Sequence, residues 1–194
     1  MSKVLRVGVL NNFNHTPDEI AKCEELKQDG WKVFVNSQSR TPIVYGPAVV
    51  TVNPGLDEFI EPKGDLSKIV AVRVKIVAGP AEPVKKAMEE SFSWAAEHNV
   101  PVLLTAMRFP SRVLMGAFAD NGKDHYEYKS GYFRVNSWDE FDDVPKDAFA
   151  CDKAGEGCPG CQNCSKLTFG ASGPDVVIAG VNLKSSGECP YKCP

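Results

Sequence analysis

The spacing of apolar and polar positions divides the chain into short elements that alternate between strand and helix. Residues 4 to 10 form an apolar run with the pattern of a strand, closed by the polar turn Asn11-Asn12-Phe13-Asn14-His15. A helix is expected next, because Thr16 suits the N-cap, Pro17 the first turn, and Glu19 the position from which a capping box reaches back. Ile20, Cys23 and Leu26 then recur at helical spacing until Gly30 ends the run, and Trp31 to Asn36 returns as a strand. Between 41 and 62, Pro42, Pro47, Pro54 and Pro62 cut the chain into short pieces, of which Ala48-Val49-Val50-Thr51-Val52 has the β-branched character of a strand.

The clearest unit follows. Residues 69 to 77 read as a strand, 81 to 98 as a helix and 100 to 107 as a second strand. In the helix, Val84, Ala87, Met88, Phe92, Ala95 and Ala96 form an apolar stripe, while Lys85, Lys86, Glu89, Glu90 and Glu97 lie on other faces. Strand, crossover helix and strand in this order predict a parallel pair with a right-handed connection. Ligands of such sheets lie beyond the strand C-terminal ends, here near Ala78-Gly79-Pro80 and Arg108-Phe109-Pro110. A short helix is expected from Pro110 to Ala119, a hairpin from Tyr126 to Val135 turning at Ser130-Gly131, and a buried final strand at Val176 to Val181. The fold class expected is α/β, with a partly parallel sheet, open or partial barrel-like. The chain divides into an α/β domain over 1–150 and a cysteine-rich metal-binding segment over 151–194 packed on it.

Composition narrows the function classes. The chain has 194 residues, 43% hydrophobic and 24% charged, which suffices for a real core. No apolar run approaches the roughly 20 residues that cross a bilayer, and charges interrupt the start, Met1-Ser2-Lys3-Val4-Leu5-Arg6, so neither a membrane role nor a secretory signal is expected. The location expected is cytoplasmic. A net charge of -3 exerts no general pull on nucleic acid.

Six of the seven cysteines fall between 151 and 193, and only Cys23 lies earlier. Local crowding in a reducing compartment points to metal ligation, where a disulfide framework would staple the whole domain. Cys158, Cys161 and Cys164 are each separated by two residues, with Cys151 upstream and Gly155, Gly157 and Gly160 interspersed. Two-residue spacing turns successive thiolates toward one centre, and the glycines permit the backbone angles of such a loop. Thiolates suit an iron–sulfur cluster or tetrahedral zinc. Three cysteines in a Cys-x-x-Cys-x-x-Cys run with a fourth elsewhere favour a 4Fe–4S cluster, with zinc as the alternative. Cys151 is the fourth ligand by proximity; Cys189 and Cys193, each followed by proline, compete for that place or form a second partial site. Cys23, in a helical stripe, reads as a small buried hydrophobe.

On Val72-Arg73-Val74, Trp94, Arg108, the four cysteines and Val177-Ile178-Ala179, the stretch from about 69 to 182 resembles a group of uncharacterised phage-encoded proteins related in architecture to radical S-adenosylmethionine enzymes. The resemblance implies an iron–sulfur site on a partial barrel-like α/β fold, and the host cytoplasm as the location. The family also has an N-terminal cysteine group, the place of a radical enzyme's catalytic cluster, where this chain has only Cys23. The resemblance therefore implies a shortened relative that keeps an auxiliary cluster, structural or redox, and not radical catalysis.

Other candidates have simpler explanations. His15, His98 and His125 are scattered and read as surface or capping residues, His98 complementing a helix C-terminus. Tyr126, Tyr128, Tyr132 and Phe133 interleave with Lys129 and Arg134; with Arg108 and Arg112 they offer a surface for single-stranded nucleic acid or a protein, though alternating hairpin aromatics ordinarily pack one face on a core. No phosphate-binding loop and no Ser/His/Asp set assembles, so an enzymatic activity is not claimed.

Overall fold

The computed structural model describes residues 2–8, 12–53, 58–76, 81–106, 126–129, 132–135, 148–150, 162–170, 175–181 and 183. In chain order the elements are β1 (Ser2–Val7), α1 (Pro17–Gln28), β2 (Lys32–Gln38), β3 (Ala48–Val52), β4 (Ile69–Ile76), α2 (Ala81–Glu97), β5 (Val102–Ala106), β6 (Tyr126–Lys129), β7 (Tyr132–Val135), β8 (Phe149–Ala150), α3 (Asn163–Phe169) and β9 (Val176–Val181). The fold is α/β with parallel strand pairing, as expected. The chain forms two compact units, one from Met1–Thr51, Glu61–Ala71 and Asp152–Pro194, the other from Val52–Ile60 and Val72–Cys151.

In the first unit the strand order is β9-β1-β2-β3, all parallel. Its core is aliphatic: Val4, Val35, Val49 and Val50 are fully buried, with Leu5, Val33 and Phe34 nearly so. Each such side chain contributes roughly 1.5–3 kcal/mol by leaving water. β9 lies outside β1, and Val177 is 43% exposed, so the expected final strand forms but is half-covered rather than buried. An outer strand has a neighbour on one edge only, which its run of apolar residues does not reveal.

α1 begins as the sequence predicts. Thr16 Oγ1 accepts from the Glu19 N–H at 3.3 Å and Glu19 Oε2 accepts from the Thr16 N–H at 3.2 Å, a complete capping box. The helix ends at Asp29, followed by Gly30 with φ +85, a left-handed position that glycine takes without a Cβ penalty. Cys23 is fully buried, and burial pushes its thiol pKa up to about 12, the behaviour of a small hydrophobe.

In the second unit, β4 and β5 are parallel, Val72 opposite Val102 and Val74 opposite Leu104, with β8 beside β5. The β-α-β unit is thus present. Along α2, Ala87, Met88, Phe92 and Ala95 are buried, but Ala96 is exposed, and Ser91 and Trp94 are buried instead; the side chain of Val84 is outside the described part. Ser91 tolerates this because its hydroxyl donates to the Ala87 carbonyl at 2.6 Å, leaving no polar group unsatisfied. The expected hairpin is present as β6 paired antiparallel with β7, Tyr128 opposite Phe133. The helix expected from Pro110 to Ala119 lies outside the described residues.

Candidate metal centre

Of the four expected ligands, Cys164 is described; Cys151, Cys158 and Cys161 lie outside the described residues, as do Cys189 and Cys193. Cys164 is the second residue of α3, half-buried and not in a disulfide. The chain enters α3 through Gln162, whose φ of 51 is in the left-handed region. For a residue with a Cβ that conformation costs on the order of 1 kcal/mol. The Gln162 side chain makes no capping hydrogen bond to α3. Its last turn is closed by Gly170, φ +63, whose N–H donates to the Lys166 carbonyl at 2.9 Å, while Ser165 is fully buried and anchors the helix.

One thiol with these properties fits one position of a thiolate site: it is not spent in a disulfide, it is half-accessible, and a left-handed residue stands between it and the preceding cysteine. Cys23 does not fit, since its sulfur is sealed inside the core and its thiolate is disfavoured. Among the described residues, no three of His, Cys, Asp and Glu come together as a metal site.

His15 is a correction. The sequence places it at the surface or as a cap, but it is only 7% exposed, with φ 59. Its Nδ1 accepts from the Tyr45 N–H at 3.2 Å, which puts the ring proton on Nε2, and Nε2 donates to Ser37 Oγ at 3.1 Å. The ring meets Phe13 edge to face at 4.8 Å. Burial first, and the Lys68 ammonium second, pull its pKa down to about 4, so near pH 7 it is neutral. Ser37 is fully buried and closed to a substrate, so the pair is no nucleophile and base. It pins the Phe13–Thr16 turn and Tyr45 to β2. The signal in the sequence is a hydroxyl and an amide, Asn36-Ser37, inside an otherwise apolar strand: Asn36 Nδ2 donates to the Gly8 carbonyl at 3.1 Å, and the Asn36 carbonyl accepts from the Phe13 N–H at 2.8 Å.

His98 is exposed, as expected, and closes α2 through its ring: Nδ1 lies 2.9 Å from the Trp94 carbonyl and the imidazole stacks on the indole at 4.4 Å. His125, Arg108, Arg112 and the segments 78–80 and 108–110 lie outside the described residues. Among the described residues no helix is long and apolar enough to cross a membrane. Comparison with protein-family models, with curated proteins and with solved structures finds no match to the chain.

Proposed function

We propose that the protein binds an iron–sulfur cluster through Cys151, Cys158, Cys161 and Cys164, and that the cluster has a structural or redox role in a cytoplasmic protein of the phage-encoded kind. The observation that carries this reading is the entry to α3: a left-handed Gln162 between Cys161 and a half-buried Cys164 thiol, continuing the Cys-x-x-Cys-x-x-Cys spacing. A left-handed residue two positions before Cys164 is compatible with a loop that bends its thiolates toward a bound centre. Bound there, an iron–sulfur cluster supplies one-electron chemistry or a rigid cross-link. The chain's own part is to present thiolates, hold Cys164 on α3 through the buried Ser165, and keep Cys23 out of the ligand set.

The test is purification without oxygen, followed by iron, sulfide and zinc analysis. Stoichiometric iron and sulfide, lost in Cys158→Ser, Cys161→Ser and Cys164→Ser and kept in Cys23→Ser, are expected. Cys151→Ser, Cys189→Ser and Cys193→Ser then identify the fourth ligand. A colourless protein with stoichiometric zinc would overturn the iron–sulfur assignment and make the segment a zinc-stabilised module; loss of neither metal in the three variants would overturn the site itself.

A further inference from the structure

The turn before α1 and the segment before β3 are tied together through one imidazole. His15 Nδ1 accepts from the Tyr45 N–H at 3.2 Å, and Nε2 donates at 3.1 Å to the hydroxyl of Ser37, next to last in β2. That hydroxyl is free to accept because its own proton goes to the Phe13 or the Gln38 carbonyl, each 3.4 Å away. The Phe13 and Tyr45 rings, 5.8 Å apart, are buried with it. The tie rests on one lone pair. A neutral imidazole offers one acceptor and one donor, which is what Tyr45 and Ser37 require, whereas a protonated ring has two donors. Its Nδ1–H would face the Tyr45 N–H, donor against donor, on a side chain only 7% exposed.

The charged groups around the ring do not offset this conflict. Lys68 adds a like charge; it donates to the Val44 carbonyl at 2.9 Å and pairs with Asp65 at 3.2 Å. Glu19 of α1 is committed to the turn itself, accepting from the N–H groups of Asn14 and Thr16 on either side of His15. Lys27, 4.5 Å from the Tyr45 ring, pairs with Glu24 at 2.9 Å. Burial pushes the Cys23 thiol and the Tyr45 phenol up, so neither titrates in acid. Each side of the tie also has anchors of its own. The Phe13 N–H donates to the Asn36 carbonyl at 2.8 Å; the Ile43 N–H donates to the Lys63 carbonyl and the Asp65 N–H to the Ile43 carbonyl, both at 2.7 Å. The contact can therefore part without the strands coming apart.

We infer that His15 is a proton-operated latch, whose protonation parts the Phe13–Thr16 turn from Tyr45 while β1, β2 and β3 stay paired. The open turn carries a ring of ordinary proton affinity, and the closed turn one with a pKa of about 4. Opening is therefore unaffected by pH above about 6.5, becomes more frequent as the pH falls and gains nothing further below about 4, a rise of about 300-fold over the whole range. The latch uses none of the clustered cysteines, so it stands apart from the metal assignment.

The experiment follows hydrogen exchange of the Tyr45 amide between pH 7 and pH 4, corrected for its intrinsic rate and repeated at several low urea concentrations. Opening of that amide is expected to approach the 300-fold rise and to be independent of urea, while the amides of β3 exchange in the urea-dependent manner of whole-unit unfolding. His15→Asn keeps an acceptor oxygen where Nδ1 stands, suits the φ of 59 and does not titrate, so the Tyr45 amide should stay protected and lose its acid dependence. A Tyr45 amide that follows urea as steeply as β3 overturns the inference, because the contact would then part only with the fold. The same acid dependence in His15→Asn as in the parent overturns it too, since the proton would then act elsewhere. The urea dependence is read on the parent alone and decides the matter even where the variant does not fold.

Discussion

The beginnings of α1 and α3 are built in opposite ways. At α1 the chain carries its own instructions: Thr16 and Glu19 satisfy each other's backbone, Pro17 fits the first turn, and Glu19 Oε2 also accepts from the Asn14 N–H at 3.0 Å. At α3 the Gln162 side chain makes no capping hydrogen bond, Gln162 itself is held at positive φ, and the helix has only seven residues. Isolated helices of that length are unstable in water. The difference separates a helix whose start is closed by its own cap residue from one whose cap residue does not close it, and in the proposed reading the cysteines before α3 supply the support.

The largest expected effect tests that dependence. If the proposed metal is bound, removing it with a chelator under anaerobic conditions should raise amide hydrogen exchange in α3 by well over tenfold, on the order expected when a structural metal is withdrawn, and leave α1 within twofold of its starting rate. Equal exchange in α3 with and without metal would show that it needs no such support.

Acid should act on the other side of the comparison. The folded His15 has a pKa of about 4 against an ordinary 6.5, so the fold favours the neutral ring and the unfolded chain binds the proton first. The stability contributed is complete above about pH 6.5, falls as the pH drops toward 4 and changes no further below it, a loss on the order of 3 kcal/mol. Urea unfolding at several pH values, compared with His15→Phe, isolates this; a parent and variant with the same pH dependence would remove His15 as its source.

The ends of the two helices are alike, and they serve as an internal control. Gly30 and Gly170 both have positive φ with open space where a Cβ would stand, so Gly30→Ala and Gly170→Ala should each cost roughly 1–2 kcal/mol from backbone strain alone. In Gly30→Ala the loss appears in denaturant unfolding, and in Gly170→Ala it should appear as weaker retention of the proposed metal. Thr16→Ala, which removes one half of the capping box, should cost about 1 kcal/mol by the same unfolding measurement. A Thr16→Ala protein as stable as the parent would mean that the buried Glu19 carboxylate carries the cap alone.

What was legible in the sequence follows from this contrast. The capping box, the glycine stop after α1, β3 over its whole length and the β-α-β unit were all readable, because each is written in residues close together along the chain. α3 was not anticipated: seven residues give fewer than two turns of periodicity, and Lys166-Leu167-Thr168-Phe169 fits a strand or a loop equally well. The burial of His15 escaped notice because its partners, Ser37 and Tyr45, are 22 and 30 residues away. In α2 the apolar pattern places Ala96 in the stripe, whereas it is exposed, and gives no sign of the buried Ser91. Of the proposed metal site, the cysteine spacing is readable and the left-handed Gln162 before Cys164 is not.

The pairing of β9 with β1 joins Ser2 to Val176 and Val7 to Val181, partners separated by about 170 residues. During synthesis β1 emerges early, yet the edge that β9 covers must wait until residues 176–181 have been made, after Cys151, Cys158, Cys161 and Cys164. Contacts so distant close slowly. The chain therefore carries an exposed strand edge throughout elongation, and any agent that seats the cysteine segment early would shorten the time that edge remains open to aggregation.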